Sequence, residues 1–536
     1  MRPPRPATVA RVGAAAASGA LLALSRPPAD LGPLACVALV PLFVAWRGRR
    51  PRAAAALAFV AGVVYYCLLC SWIRYFGAVA IIPFGISMGA YWALVGATTA
   101  WLRSRGLANP WLTAAVWVSG EAFLARWPFG GFSWGEVGYA FHNIAPARAV
   151  ASVGGVALVS FLAVVLNALL ADFVGERGLP RRWVWTEAGI ALVVVVVVAA
   201  TVTRAEPPVV GSLRVALVQG NDKNRELTNT ELDERYLPAS HFALARQITD
   251  PVDLIVFPES SMDADPRTDP YLRGNLERIA RAHNAWVLAN ATVDAPPDGN
   301  KVLNLDVLFG PDGEIVGTYA KRHLVPFGEE VPFRETLQDI VSELQQVPRD
   351  YESGNTRGLF DVADVRIGTL ICFESAFGYQ VRPLVRDGAE VLVVSTNNRS
   401  YRRSANSEQH VAIGQMRAAE TGRPVVQAAI SGITAVIDAD GVVQARTDLF
   451  DRTVLQETVA ATGGETPYVR YGEWATLLSL LAVGGAALVA LARTVRQRRA
   501  ASLESRDEPE AALSERAVAE PELSIEADER ESTVTP

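Results

Sequence analysis

Three short stretches of the sequence place polar side chains with complementary chemistry directly after apolar runs. LIVFPES carries Glu259, and TLICFES carries Cys372 and Glu374. Between them, TYAKRHLVPFGEEVPF carries Lys321 and Glu329. In open α/β sheets, functional side chains gather beyond the carboxyl ends of strands. We therefore expect one acid, one lysine and one cysteine to converge in the folded chain.

This combination of side chains suits covalent acyl transfer. A thiolate is a strong nucleophile, but a free thiol at neutral pH is mostly protonated, so it needs a base such as the carboxylate of Glu259. The ammonium group of Lys321 can stabilise both the thiolate and the oxyanion of a tetrahedral intermediate. Cys372 is a candidate nucleophile because it is the only cysteine between residues 204 and 473; the other three lie in apolar runs, at Cys36, Cys67 and Cys70.

Other interpretations of these residues stay open at this point. A lone cysteine is often a small buried hydrophobic side chain. His323 follows Lys321 by two residues and is an alternative partner for Cys372. We expect no metal and no cofactor, because the sequence contains no spaced cluster of His, Cys and Asp.

Strands and helices alternate between residues 211 and 460, which predicts α/β layers. The predicted strands are 213–219, 253–258, 286–292, 303–309, 315–320, 366–373, 391–396, 425–430 and 434–438. The predicted helices are 230–249, 270–283, 378–387 and 407–421. Glu259 and Lys321 then follow strands directly, and Cys372 lies at the end of one.

Long apolar runs at both ends of the chain predict a membrane protein. A helix needs roughly 20 apolar residues to cross the hydrocarbon core. We count eight candidate spans, of which the second and the fifth are short: 8–24, 31–46, 53–73, 78–102, 111–125, 149–173, 183–203 and 474–491.

Arginines predict the orientation of these spans. They cluster at the N-terminus, in every second loop and after the last span, and short basic loops stay in the cytoplasm. With eight spans, both termini are therefore expected in the cytoplasm. The large insert 204–473 is expected on the outer side of the membrane.

Several features of the membrane part have more than one interpretation. Glu121 lies inside the fifth span, where a carboxylate indicates either a functional site or solvation near the span's outer end. Cys67 and Cys70 have helical spacing, which favours packing over redox or metal chemistry. The loop 127–143 is rich in aromatic residues and glycine, which suits either an interfacial belt or a lipid entrance.

The C-terminal tail accounts for the net charge of the protein. Residues 501–536 hold 11 acidic residues and three arginines, while the whole chain has a net charge of -6. Nothing in the remaining charge indicates nucleic-acid binding. A polar, acidic tail with almost no aromatic residues predicts disorder from residue 500 onward.

The motifs taken together resemble a known family. FPES, YAKRHLVPFGEEVPF and ICFES are similar to the nitrilase, or carbon–nitrogen hydrolase, superfamily. With eight spans around them, the chain resembles the membrane-bound bacterial apolipoprotein N-acyltransferases. GFSWGEVGY, VALVQGN, STNN and SEQHVAIGQMRAAETGRPVVQA are also similar to that family.

The resemblance implies an α/β fold, an αββα nitrilase-like sandwich inserted in an eight-helix transmembrane bundle. It implies that Glu259 is the general base, Lys321 the stabiliser of oxyanion and thiolate, and Cys372 the nucleophile. Glu329 matches the glutamate that positions the lysine, and Glu374 matches another supporting acid.

The sequence departs from the family pattern at three places. Phe373 stands directly after the nucleophile, where most members have tyrosine, so a hydroxyl is lost and an aromatic ring remains. Residues 397–401 read NNRSY where the usual pattern is Asn-Asp-x-Trp-Phe. Many members also have a tryptophan shortly after the VQGN strand, and this chain has none there. These changes concern substrate preference rather than the triad.

The resemblance also implies a reaction and its partners. A phospholipid would donate a fatty acyl chain to Cys372, and a diacylated apolipoprotein would accept it on the α-amine of its lipid-modified N-terminal cysteine. We expect a monomer in the cell membrane, with membrane lipid as its surroundings and no nucleic acid as a partner. The rival interpretations are a membrane-tethered amidase acting on a small soluble substrate, and a non-catalytic scaffold that binds another membrane enzyme.

The expected domain boundaries follow from these segments. Residues 1–203 would form transmembrane helices one to seven, and residues 204–465 the extracytoplasmic nitrilase-like domain. Residues 466–499 would form the eighth helix with its basic flank, and residues 500–536 the disordered cytoplasmic tail.

Overall fold

The computed structural model describes residues 6–77, 80–107, 109–175, 180–222, 228–296, 299–337, 344 and 347–518. For residues 175, 180–186, 233, 498 and 500–518 the description is limited to the backbone.

The apolar segments at both ends of the chain fold as helices, which we call the membrane part. The α-helices are α1 Pro6–Leu24, α2 Val40–Trp46, α3 Pro51–Leu69, α4 Ile81–Ser104, α5 Pro110–Leu124, α6 Ala145–Gly175 and α7 Pro180–Thr203, and a last helix runs over Trp474–Val518. Short 3₁₀ helices lie at Gly32–Cys36, Ser71–Phe76 and Val137–Phe141.

Five helices in the described part of the chain are long and apolar enough to cross a membrane, namely α1, α3, α4, α6 and the helix that begins at Trp474. The second predicted span is instead a 3₁₀ helix followed by the seven-residue α2, and α5 has 15 residues. The count of eight spans therefore stays a prediction.

The helix that begins at Trp474 continues to Val518, into the segment for which we predicted disorder. Its backbone is helical up to that point, and residues 519–536 lie outside the described residues.

Helices α3 and α4 approach each other closely because small residues face across their interface. A Cβ atom built on Gly89 would lie 2.6 Å from Cγ2 of Val63, and one on Gly96 would lie 2.7 Å from Cβ of Ala58. In a bilayer, where lipid is as apolar as the side chains, such close packing is a main source of helix association.

Residues 209–462 form two six-stranded sheets, and we call them the αββα domain. The strands are β1 Val209–Gln219, β2 Leu254–Val256, β3 Trp286–Asp294, β4 Val302–Phe309, β5 Ile315–Ala320, β6 Gly358–Val362, β7 Val365–Ile371, β8 Val391–Thr396, β9 Val425–Ala429, β10 Ala435–Ile437, β11 Val443–Arg446 and β12 Thr453–Thr462. The first sheet has the order β12-β1-β2-β3-β4-β5, and the second the order β11-β10-β9-β8-β7-β6.

The helices of this domain are α8 Asn229–Asp233, α9 Tyr236–Ala245, α10 Pro270–His283, α11 Arg334–Leu337, α12 Gly378–Arg386 and α13 Asn406–Thr421; α14 Pro467–Tyr471 then leads to α15, the helix that begins at Trp474. Four of them pack on the outer faces of the two sheets, α9 and α10 on the first and α12 and α13 on the second.

Three hydrophobic clusters account for the layers of the domain. The central cluster joins the inner faces of both sheets, for example Val215 and Val256 of the first with Ile367 and Val393 of the second. A second cluster joins the first sheet to α9 and α10, and a third joins the second sheet to α12 and α13. Because every sheet face is covered, the layers form the predicted αββα sandwich.

All nine predicted strands are present, and β6, β11 and β12 were not predicted. The predicted helix 230–249 is wrong as a single element. It consists of α8 and α9, because Arg235 adopts a positive φ of 53° that interrupts the helical path. The other three predicted helices are confirmed as α10, α12 and α13.

The αββα domain and the membrane part share one hydrophobic core. Phe373, Phe377, Ile413 and Met416 of the domain belong to the same buried cluster as the side chains of α1 to α6. The domain therefore packs directly on the membrane helices and is not connected to them by a linker alone.

Helix α6 is broken where it meets the domain. Gly155 has a φ of +73°, and a Cβ atom there would lie 2.7 Å from the ring of Tyr468. The break leaves backbone N–H groups without helical partners. The carboxylate of Glu420, from α13, accepts the N–H of Val156 and so begins the second half of the helix.

Candidate active site

Two of the predicted site residues, Glu259 and Lys321, meet at one edge of the first sheet. Glu259 follows β2, and Lys321 follows β5 directly. Strand β5 runs in the same direction as β2 and β3, because β4 is antiparallel to both β3 and β5. The two side chains therefore emerge at the same edge, and Nζ of Lys321 lies 3.3 Å from Oε1 of Glu259.

The ammonium group of Lys321 is held between two carboxylates. Besides Glu259, it donates to Oε1 of Glu329 at 2.7 Å. The side-chain amide of Asn304, on β4, donates to Glu259 at 2.7 Å and to Glu329 at 3.2 Å. Oε2 of Glu329 accepts the backbone N–H of Val325 at 2.8 Å, which fixes this carboxylate in its loop.

Lys321 is fully buried, with 1% of its surface exposed, and stays charged there. Burial by itself lowers the pKa of its ammonium group, since desolvation penalises a charge. The carboxylates of Glu259 and Glu329 outweigh this and raise the pKa of Lys321 well above its ordinary value. A permanent positive charge therefore lies inside the site.

Cys372 stands on a sharp turn between β7 and a 3₁₀ helix, Cys372–Ala376. Its φ is +53°, a conformation that a residue with a side chain adopts only when its surroundings enforce it. Its Sγ lies 3.3 Å from Oγ1 of Thr396, at the end of β8, within hydrogen-bonding distance for sulfur. Oε2 of Glu259 accepts the backbone N–H of the next residue, Asn397, at 2.8 Å.

The surroundings of Cys372 keep its sulfur protonated at rest. Burial is the largest cause, and the negative charge of Glu259 adds to it, whereas Lys321 acts in the opposite direction. Together they raise the pKa of the Cys372 thiol to about 12. A reaction at this sulfur therefore needs a base that removes the proton as the new bond forms.

Glu374 joins the segment of Lys321 to that of Cys372. Its Oε1 accepts the backbone N–H groups of Arg322 at 2.7 Å and His323 at 3.0 Å. Its Oε2 accepts the N–H of Ile371 at 2.8 Å, and the hydroxyl of Tyr319 donates to both oxygens. Glu374 is completely buried and makes its contacts to the backbone on either side of the site.

Phe373, the residue that departs from the family pattern, connects the site to the membrane part. Its ring stacks on Trp134 with centroids 6.1 Å apart, and it lies 5.9 Å from the ring of Phe132. Both partners belong to the loop 127–143. This loop is thus largely packed between the membrane part and the domain, while Trp127 and Phe129 remain exposed.

Glu121 also fastens this loop. Its Oε1 accepts the indole N–H of Trp117 at 3.1 Å and the backbone N–H of Val137 at 2.9 Å. These contacts join α5 to the 3₁₀ helix Val137–Phe141.

His323, the alternative partner of the cysteine, packs among aromatic side chains. Its ring lies 3.9 Å from that of Phe377, and its Nδ1 lies 3.3 Å from the hydroxyl of Tyr379. Burial, followed by the charge of Lys321, lowers the pKa of His323 to about 4. Within the described residues, its ring makes no hydrogen bond to Cys372.

Three polar residues at the site escaped the sequence analysis: Asn304, Thr396 and His410. Asn304 had a detectable signal, because LNLDV places Asn304 and Asp306 in an otherwise apolar strand whose two faces are both covered. Thr396 and His410 lie in the segments STNN and SEQHVAIGQMRAAETGRPVVQA that resemble the family, but their residue types did not single them out, since a strand threonine and a helix histidine are ordinary residues in their elements.

Two family models match the chain. Residues 18–169 match the family model of the apolipoprotein N-acyltransferase N-terminal domain, and residues 214–468 match that of carbon–nitrogen hydrolases. Among solved structures, XC1258 from Xanthomonas campestris, described as a CN-hydrolase superfamily protein, is 19% identical with a TM-score of 0.36, covering 50% of this chain and 96% of that one. Nit3 from Saccharomyces cerevisiae, of the nitrilase superfamily, is 14% identical with the same TM-score, covering 50% and 95%.

Curated relatives match over nearly the whole chain. The apolipoprotein N-acyltransferase of Geobacter metallireducens is 32% identical over 495 residues, covering 88% of this chain and 93% of that protein. Those of Azotobacter vinelandii and Nitrosomonas europaea are each 31% identical, covering 88% and 89% of this chain and 94% and 97% of their own lengths.

The αββα layers with their acid, lysine and cysteine form a carbon–nitrogen hydrolase domain that packs on a membrane part. The sequence matches extend through both the membrane part and the αββα domain. The chain belongs to the apolipoprotein N-acyltransferase family, and it is a membrane-bound acyltransferase.

Proposed function

We propose that this enzyme transfers a fatty acyl chain from a phospholipid to the α-amino group of the diacylglyceryl-cysteine at the N-terminus of apolipoproteins, through a thioester on Cys372. The observation that carries the proposal is the buried cluster of Glu259, Lys321 and Glu329 beside Cys372, in a domain that shares its core with membrane helices.

The first half of the reaction forms the thioester. Sγ of Cys372 attacks the ester carbonyl of the phospholipid while Glu259 removes the thiol proton, as the raised pKa of the thiol requires. The ammonium group of Lys321 stabilises the oxyanion of the tetrahedral intermediate. The intermediate collapses, the carbon–oxygen bond breaks, and Glu259 returns the proton to the departing lysophospholipid.

The second half transfers the acyl chain. The α-amine of the acceptor attacks the thioester carbonyl, and Glu259 takes one proton from its nitrogen. The carbon–sulfur bond breaks, Cys372 leaves as a thiolate next to Lys321, and it regains its proton from Glu259. Two substrates that react in turn at one sulfur give ping-pong kinetics.

The position of the site supports lipid substrates. Phe129 and Phe327 are both about half exposed, and their ring centroids lie 6.0 Å apart. Phe333, which is 71% exposed, lies at the same distance from Phe129. Phe327 belongs to the loop of Glu329, so exposed aromatic rings border the catalytic residues. Such rings are favourable at the headgroup level of a bilayer.

The proposal includes the orientation of the enzyme. The arginine pattern favours an outer location for the αββα domain, with both termini in the cytoplasm. In this orientation the site meets the outer leaflet, where exported apolipoproteins carry their lipid-modified N-termini.

Loading with phospholipid alone tests the proposal. The purified full-length enzyme should acquire one acyl chain that hydroxylamine releases, and addition of a diacylated lipopeptide should then discharge it with formation of an amide. Cys372→Ala should abolish loading, whereas Cys36→Ala, a cysteine of the membrane part, should load normally. Normal loading of Cys372→Ala would refute the assigned nucleophile. Hydrolysis of small amides without any loading from phospholipid would favour the amidase alternative, and no reaction of either kind would favour a scaffold.

A further inference from the structure

A second group of polar side chains surrounds the sulfur of Cys372 on the side of the second sheet. Thr396, Asn398 and His410 are all buried. The hydroxyl of Thr396 lies 3.3 Å from Sγ of Cys372, 3.3 Å from Oδ1 of Asn398 and 3.3 Å from Nδ1 of His410. One hydroxyl hydrogen therefore has three acceptors within reach.

The protonation of His410 follows from its contacts. Burial is the main cause that lowers the pKa of His410 to about 4, so the imidazole is neutral at neutral pH and carries one hydrogen. Its Nε2 lies 3.2 Å from the carbonyl oxygen of Cys372, which can only accept. Nε2 therefore carries the hydrogen, and Nδ1 accepts.

The neighbouring groups hold this tautomer in place. The hydroxyl of Ser375 donates to the same Cys372 carbonyl at 2.9 Å, and its oxygen lies 2.8 Å from Nε2 of His410. The amide nitrogen of Asn398 lies 3.4 Å from Nδ1 of His410 and donates to Asn406 at 2.7 Å. Nδ1 thus keeps a donor nearby even when the Thr396 hydroxyl turns elsewhere.

We propose that Thr396 is a further catalytic residue, whose hydroxyl turns from His410 to the sulfur of Cys372 when the thiol becomes a thiolate. With the thiol, Oγ1 of Thr396 accepts the S–H group and donates its own hydrogen to Nδ1 of His410. Once Glu259 has removed the thiol proton, the hydroxyl donates to the thiolate, and Asn398 donates to Nδ1. No proton leaves Thr396 in either state.

The consequence is that the thiolate is stabilised from two sides, by the ammonium group of Lys321 and by a neutral donor. This stabilisation acts when the sulfur attacks and again when it departs from the thioester. His410 and Asn398 are positioning residues in this arrangement, because they act on the sulfur only through Thr396 and the backbone of Cys372. The inference rests on the proposed function for the acyl steps, but the stabilisation of the thiolate itself does not.

Alkylation of Cys372 measures that stabilisation without any acyl transfer. Iodoacetamide reacts with the thiolate, and mass spectrometry of the peptide that contains Cys372 separates this reaction from that of the other cysteines. The titratable and charged groups that face the thiol are Glu259, Lys321, Tyr401 and His410, and all stay the same in the variants compared.

Thr396→Val, which has nearly the same shape, should slow alkylation of full-length enzyme at pH 8 about tenfold or more, the effect of a lost hydrogen bond to a charged group. Thr396→Ser should restore the rate of the wild type. Thr421→Val serves as the matched control, because its buried hydroxyl bonds to the carbonyl of Arg417 in its own helix. Thioester formation from phospholipid should follow the same order.

Equal alkylation rates for Thr396→Val and the wild type would overturn the inference, and so would a serine variant as slow as the valine variant. Thr396→Ala provides the same comparison if the valine variant does not fold. A normal alkylation difference without any loading from phospholipid would contradict the proposed function and leave the role of Thr396 standing.

Discussion

The indole N–H of Trp134 donates a hydrogen bond of 2.8 Å to Oε1 of Gln409, which joins the loop 127–143 to the first turn of α13. The same oxygen accepts the indole N–H of Trp72 at 3.1 Å. The amide nitrogen of Gln409 donates to the carbonyl oxygens of Pro27 at 3.0 Å and Leu69 at 2.9 Å. One buried side chain of the domain therefore satisfies four polar groups of the membrane part.

Gln409→Leu should weaken the packing of the αββα domain on the membrane part. Each buried group left without a partner costs about 1–3 kcal/mol, so we expect a loss of at least about 2 kcal/mol in the free energy of unfolding. Thermal unfolding of the detergent-solubilised protein measures it. Glu408→Ala is the control, since its ion pair with Arg446 is exposed at the surface and such pairs contribute about 0–1 kcal/mol. Equal losses in the two variants would contradict the proposed role of Gln409.

Lys321 should not tolerate exchange for arginine. Its Nζ fits between the carboxylates of Glu259 and Glu329 with 1% of the residue exposed, and the planar guanidinium is wider than an ammonium group. Removal of an oxyanion donor costs roughly 100-fold to 1,000-fold in rate. We expect both Lys321→Arg and Lys321→Ala to lose at least about 100-fold in acyl transfer at equal expression.

The matched control for this exchange is Lys301→Arg, at an exposed position, which should retain nearly all activity. Lys223, the remaining lysine, lies outside the described residues. If Lys321→Arg transferred acyl chains almost as fast as the wild type, the lysine would be only a structural cation.

Asp306 should make stability depend on pH. Burial is the largest cause that raises the pKa of its carboxyl to about 7, from an ordinary value near 3.8. The folded state therefore binds this proton more tightly than the unfolded state does. Its contribution is complete below about pH 4 and is lost as pH rises through 7, up to about 4 kcal/mol.

Asp306→Asn should remove this dependence. In the wild type, Asp306 accepts hydrogen bonds from Asn290 and from the hydroxyl of Thr369. The side-chain amide of the variant can still accept from Asn290, and its nitrogen can donate to the hydroxyl oxygen of Thr369. The difference in unfolding free energy between variant and wild type should therefore shift in favour of the variant between pH 5 and pH 8. Parallel curves over this range would show that Asp306 keeps the same charge in both states.

Maleimide labelling tests the proposed orientation. In a Cys372→Ala background, a cysteine at Ser212, which is exposed on β1, should react with an impermeant maleimide in intact spheroplasts. A cysteine at Ser502 should react only after lysis, because the arginine pattern favours a cytoplasmic C-terminus. Reactivity of Ser502→Cys in intact cells, with protection of Ser212→Cys, would reverse the topology and make an apolipoprotein substrate untenable.

The sequence predicted buried elements better than exposed ones. Strands such as β8, with six buried residues in a row, can be predicted from their continuous apolar sequence. Strand β12 escaped prediction because its first half is only partly buried and its pairing with β1 joins distant parts of the chain. The separation of α8 from α9 depends on the φ of a single residue, Arg235. The hydrophobic periodicity of the sequence does not predict a positive φ at one position.

The same distinction applies to the site. Glu259, Lys321 and Cys372 were found because each follows an apolar strand and carries reactive chemistry. Asn304 and Gln409 were not found, since their importance comes from contacts that only folding creates. Whether the triad acts as assigned stays a prediction for the variants above.

The pairing of β1 with β12 has a consequence for how the protein is made. These are the first and the last strands of the αββα domain in sequence. Strand β1 is therefore synthesised first, and it cannot pair with β12 until the rest of the domain has been synthesised. During that interval the free edge of β1 has unpaired backbone N–H and C=O groups that can pair with strands of other chains. Helix α15 begins at Trp474, shortly after β12 ends at Thr462, so the last strand of the sheet and the last membrane helix are synthesised in close succession. The nascent chain should therefore be most prone to aggregation, and most dependent on chaperones, just before its last helix is made.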